Sequence, residues 1–134
     1  MIRLGTDIVY IPRIQALVER FGDRFLQRVY TPTEQRDCGY TQVASVNPLP
    51  DRPSINKLAG RWAAKEAVVK ALGTGWRGIG YTDIEICRQP LCAPVVHTHR
   101  RAMVVMDACQ GGEWQLSLSH DGDYAIATAI LLLT

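Results

Sequence analysis

The sequence predicts an α+β fold in which a largely antiparallel sheet packs against one long central helix. Three observations carry this. Both ends of the chain read as strands, RLGTDIVYI near the start and EWQLSLS and DYAIATAILLL near the finish. Between them, INKLAGRWAAKEAVVKALG repeats apolar residues at helical spacing without a proline. Strand-like and helix-like segments also do not alternate as regular βαβ units, which argues against a parallel sheet.

In the opening strand Ile2, Leu4 and Ile8 point one way and Arg3, Gly5 and Asp7 the other. Pro12 suits the first turn of a helix, and Ile14, Leu17, Val18 and Phe21 follow at helical spacing until Gly22. A second short helical piece carries Phe25, Leu26 and Val29. Thr31-Pro32-Thr33-Glu34 is a capping box that starts a third. From Tyr40 to Pro53 periodicity is lost and Pro48, Pro50 and Pro53 accumulate, which predicts a loop. Ser54 is the expected cap of the long helix, whose stripe is Ile55, Leu58, Ala59, Trp62 and Ala63 and whose stop is Gly73. YTDIEIC and PVVH then read as strands, and Thr98 to Cys109 as a helix stopped by Gly111-Gly112. A turn at His120-Asp121-Gly122 joins the last two strands into a hairpin.

With 134 residues the chain is the size of one domain, spanning 1–134. A hydrophobic fraction of 47% and a charged fraction of 21% exclude a disordered tail. The net charge of +2 is too small to imply nucleic-acid binding from charge alone. The one long apolar run, Ala125 to Leu133, is well short of the ~20 residues a membrane helix needs. Arg3 and Asp7 interrupt any signal-peptide core, so the expected location is the cytoplasm. Cys87, Cys92, His97 and His99 lack the close ligand spacing of structural zinc sites and read as ordinary thiols and histidines.

Several residues stand out chemically. Glu66 lies one turn beyond Trp62 on the apolar stripe, with Lys70 at i+4. It is either half of a surface ion pair or a functional carboxylate. Asp7 interrupts an apolar strand, as a turn residue holding backbone amides or as a second functional carboxylate. Two carboxylates and a lysine would suit a magnesium ion bound to a phosphate, since that ion uses few protein ligands. Gly73-Thr74-Gly75-Trp76-Arg77-Gly78 spells GxGxxG, but a helix precedes it and a strand follows, so the dinucleotide reading fails. It remains either a helix exit or a cradle of backbone amides for phosphate. Arg13, Arg20, Arg24 and Arg28 would form a basic face if the first two helical pieces were collinear, or else an ordinary solvated one. In the last strand Ala125, Ala127 and Ala129 alternate with Ile126 and Ile130, so both faces need cover. The alanines would let a neighbouring subunit approach, unless the strand lies wholly inside one core.

Taken together, GTDIVYIPRI, AGRWAAKEAVVKALGTG, YTDIEI and LSLSHDGDYAIA resemble the holo-[acyl-carrier-protein] synthases, the small 4′-phosphopantetheinyl transferases, along nearly the whole chain. The resemblance implies transfer of phosphopantetheine from CoA to a serine of apo acyl carrier protein, with release of adenosine 3′,5′-bisphosphate. Asp7 and Glu66 would hold Mg2+, and Lys70 would contact the phosphates of CoA. Arg61, Gly73, Thr74, Gly75 and His120 match positions near its nucleotide end. Arg13, Arg20 and Arg24 would meet the acidic carrier protein, and the assembly would be a homotrimer with a shared site. Glu66 is a candidate base. The proline-rich 40–53 loop, where Arg52 is the candidate for the CoA 3′-phosphate, and the CRQPLCAP segment depart from the family pattern. The alternative is a CoA- or nucleotide-binding regulator that transfers nothing.

Overall fold

A computed structural model of the protein describes residues 1–40 and 51–133. Strand β1 (Ile2–Tyr10) runs directly into α1 (Ile11–Phe21), followed by α2 (Asp23–Val29) and α3 (Pro32–Asp37). The long α4 (Arg52–Leu72) comes next. A 3-10 turn at Tyr81–Asp83 enters β2 (Ile84–Cys87), then come β3 (Val95–Thr98) and α5 (Arg100–Ala108). The chain closes with β4 (Glu113–Asp121) and β5 (Tyr124–Leu132). β5 lies between β1 and β4 in an antiparallel sheet, and β2 pairs with β3 in a second, two-stranded one.

The α+β class holds, and several boundaries move. Asp51, not Ser54, caps α4: its carboxylate accepts from the Ser54 amide, so Arg52 and Pro53 belong to the first helical turn rather than to the loop. The rest of that predicted loop, 41–50, lies outside the described residues. YTDIEIC begins as a 3-10 turn because the Asp83 carboxylate ties back to the Gly80 amide. Thr98 ends β3 instead of starting a helix. Asp121 pairs with Tyr124, so the hairpin turns at Gly122-Asp123 and His120 stays inside β4 opposite Ala125. Gly22, at φ +54, separates α1 from α2 as distinct helices, which puts Arg24 on α2 and not on the helix of Arg13 and Arg20.

What positions the site is the contact between the sheet and α4, and small residues make it. Ala125, Ala127, Ala129 and Leu131 form the buried face of β5. On β1, a Cβ added at Gly5 would lie 1.8 Å from the Ala67 carbonyl oxygen, so only glycine admits the helix this closely. The alanine face therefore packs within one chain and is not the surface offered to a neighbouring subunit. The larger apolar residues point the other way: Leu4 is 62% and Ile8 61% exposed, with Ile2 and Ile126 beside them on the outer face.

A buried ion pair that the sequence reading did not find pins α3 to α4. Lys65 Nζ lies 2.7 Å from Glu34 Oε1, and neither side chain is exposed. Lys65 also donates to the Tyr81 and Ile84 carbonyls, while Glu34 accepts from the Thr31 and Ile86 amides. Burial pushes the Lys65 ammonium below its ordinary value, and the Glu34 charge opposes this.

Candidate active site

The close approach at Gly5 carries Asp7, two residues along the same face of β1, to the C-terminal half of α4. Lys70 Nζ donates to Asp7 Oδ1 at 3.1 Å and to the Thr6 carbonyl at 2.9 Å. Lys70 thus turns toward the strand and makes its pair there, not with Glu66 at i−4, which corrects the surface-pair reading. Glu66 sits one turn earlier on the same helix, and the aromatic residues beyond its end hold it. Trp76 Nε1 donates to Glu66 Oε2 at 3.3 Å, and the Tyr81 hydroxyl donates to Oε1 at 3.1 Å.

These donors come from the segment that follows α4. Gly73 ends the helix in the left-handed region, at φ +81, and Gly75 turns the chain again at φ +62. The glycine stretch serves as the exit of α4, and it delivers Trp76 and Tyr81 back to Glu66. Tyr81 stacks on Trp62 at 5.0 Å and meets Trp76 at 4.1 Å, and Trp62 stacks on Phe25 at 6.1 Å. Burial, followed by the charge of Glu66, raises the Tyr81 hydroxyl to about 12, with Arg28 and Arg13 opposing.

The first part of this aromatic row lines a groove of about 430 Å³. Phe21, Phe25, Trp62 and Tyr81 form its apolar wall, and Arg24 and Arg28 belong to its lining. Arg20 lies over the Phe21 ring, 5.1 Å from its centre. Arginines of two helices thus border a groove whose Tyr81 wall also donates to Glu66.

Arg61 opens elsewhere. It lines a separate cavity of about 600 Å³ with Lys57, Arg88 and Asp37. Its side chain is only 6% exposed, its pair with Asp37 is long at 3.8 Å, and its Nε has no hydrogen-bond partner among the described residues. Nη1 donates to the Lys57 carbonyl at 3.4 Å, and a buried guanidinium held by contacts this long, beside two further cations, suits an anionic ligand. His120 lies on β4, and none of the described contacts joins it to the Asp7–Lys70 pair. Arg52 is engaged with Asp123 at 3.2 Å.

Sequence reading missed Trp76, Tyr81, Lys57 and Arg88 as site residues. The signal for the first two was present: two aromatics shortly after a helix-ending glycine, each with a polar hydrogen to place. Asp7 and Glu66 supply hard carboxylate oxygens from neighbouring elements, and among the described residues no three His, Cys, Asp or Glu side chains converge. That donor set fits an ion which takes few protein ligands and leaves room for phosphate and water.

Comparison with known proteins gives the family. Residues 3–129 match the family described as the 4′-phosphopantetheinyl transferase superfamily. The holo-[acyl-carrier-protein] synthase of Gloeobacter violaceus is 48% identical over 97% of this chain and 92% of that protein. That of Koribacter versatilis is 42% identical over 95% of this chain and 94% of its own length. Among solved structures, the synthase from Neisseria meningitidis superposes with a TM-score of 0.81 at 33% identity, covering 98% of both chains. The Helicobacter pylori synthase in complex with coenzyme A gives 0.77 at 32% identity, covering 96% of this chain and 98% of that one. The chain belongs to the 4′-phosphopantetheinyl transferase superfamily and is an enzyme of its holo-[acyl-carrier-protein] synthase branch.

Proposed function

We propose that this chain transfers 4′-phosphopantetheine from CoA to a serine of an apo acyl carrier protein, in the presence of Mg2+, and releases adenosine 3′,5′-bisphosphate. The observation that carries this is the meeting of Lys70 with Asp7, one helical turn from Glu66. It joins a carboxylate and an ammonium on the α4–β1 contact, with a second carboxylate one helical turn away on α4, a set that would suit a diphosphate bound through a cation. Asp7 and Glu66 would hold the ion, which when bound neutralises the diphosphate and stabilises charge on its oxygens. Lys70 adds a fixed positive charge for the phosphates. The carrier serine forms the new P–O bond, the bond to the nucleotide phosphate breaks, and the serine proton must leave; Glu66 is our candidate to take it.

Binding follows from the other two surfaces. The Arg61 guanidinium, whose Nε has no partner among the described residues, with Lys57 and Arg88, supports an anionic end of CoA in that cavity. Gly73, Thr74, Gly75 and His120 remain candidate nucleotide contacts by resemblance. The groove beside Arg24 and Arg28, with Arg13 and Arg20 on α1, suits an acidic carrier protein that also offers apolar side chains. The exposed apolar face of β1 and β5 supports association of this chain with copies of itself, which the resemblance makes a trimer. Four free cysteines suit the reducing cytosol.

The test is a nucleotide-release assay. With CoA, Mg2+ and an apo acyl carrier protein, adenosine 3′,5′-bisphosphate should appear in step with carrier consumption and stop on chelation. CoA binding without nucleotide release would instead favour the regulator.

A further inference from the structure

We infer that Tyr81 and Trp76 are positioning residues that fix the Glu66 carboxylate for its cation, a role that rests on the reading of Asp7 and Glu66 as metal ligands. The geometry is specific. Each Glu66 oxygen receives one donor, Tyr81 at Oε1 and Trp76 at Oε2, and the indole N–H can only donate. A carboxylate has about four lone-pair sites, so two donors orient it and leave the others free for a cation. Without them, a half-buried glutamate on a helix would sample several rotamers and lose that freedom when it bound.

Packing alone does not explain the Tyr81 hydroxyl. The ring is already held between Trp62 and Trp76, and phenylalanine would fill the same place in that stack. What phenylalanine removes is the hydrogen bond to Glu66. Partners of this kind, lying behind a metal ligand, set its orientation, and losing one weakens metal binding by about tenfold or more. The aromatic row is thus the support for a functional carboxylate as well as the wall of the adjoining groove.

The experiment reads cation binding without turnover. Mn2+ is titrated into the protein with CoA present and carrier protein absent, and free Mn2+ is followed by electron paramagnetic resonance. Tyr81→Phe should raise the half-saturating Mn2+ concentration about tenfold, with little change in melting temperature. Trp76→Phe should shift it in the same direction and serves as the reading should Tyr81→Phe fail to fold. An unshifted titration in a folded variant overturns the positioning role and leaves the metal reading standing. Wild-type protein that takes up no Mn2+ with CoA overturns both.

Discussion

Lys70 and Asp7, 63 residues apart in the chain, form an ion pair of 3.1 Å across the contact between α4 and β1. The pair exists because Gly5 lets the helix approach the strand at backbone distance, and it turns Lys70 away from the Glu66 of its own helix. The proposed site thus depends on a packing contact: what lets Lys70 of α4 reach Asp7 of β1 is a missing Cβ.

Removing either carboxylate should therefore abolish most transfer activity while the fold persists. Asp7→Ala and Glu66→Ala are each expected to lower kcat by orders of magnitude. The double variant should lose little more than either single one, because residues that act as a unit are not additive. Steady-state rates at limiting Mg2+ with circular dichroism as the fold control check this; a nearly active Glu66→Ala would remove Glu66 from the site.

Gly5→Ala should act differently, through stability. Its Cβ would meet main-chain atoms of α4 that no rotamer change can move, so strand and helix must separate. Loss of cooperative thermal unfolding, with activity falling in parallel, is the expected result.

The Glu34–Lys65 pair should be costly to break one side at a time. Lys65→Met leaves Glu34 buried without its counter-charge and is expected to destabilise by about 3–5 kcal/mol. Pairing it with Glu34→Gln should recover part of that loss, since the uncompensated charge is then gone. Urea denaturation of the single and double variants measures both; equal losses would mean the charges do not interact.

Charge on the outer sheet face should separate assembly from folding. Ile8→Glu is expected to give a folded protein that sediments below the trimer proposed for the wild type and is less active, because Ile8 is exposed on one chain. Ala127→Glu should instead unfold the protein, since Ala127 packs inside it. Sedimentation velocity with thermal melts distinguishes the two outcomes, and a wild-type monomer with full activity would contradict the shared-site reading.

Much of this was legible from residue order. The alternating ends, the capping box at Thr31 and Glu34 and the stop at Gly73 are local signals, and each appears where local chemistry puts it. Asp7, Glu66 and Lys70 stood out because charge in apolar strings is costly. Which of them meet was not legible, since it depends on how closely two backbones approach. The alanine face of β5 misled for a related reason: small side chains signal close packing, but not whether the neighbour is a helix of the same chain or another subunit. Lys65 hid inside an alanine-rich helix that is buried on nearly every side, where a buried partner 31 residues away explains the charge. Tyr81 and Trp76 read as part of a turn and strand, although their polar hydrogens needed acceptors.

Asp7, Glu66 and Lys70 are proposed to form a site for moving phosphopantetheine onto a carrier protein. Intact-mass spectrometry of an apo acyl carrier protein, after incubation with this chain, CoA and Mg2+, tests it most directly. The expected result is a mass gain of one phosphopantetheine per carrier, located on a serine, absent with Glu66→Ala and absent after chelation of the metal. An unmodified carrier with wild-type protein that binds CoA, or full modification by Glu66→Ala, would contradict it.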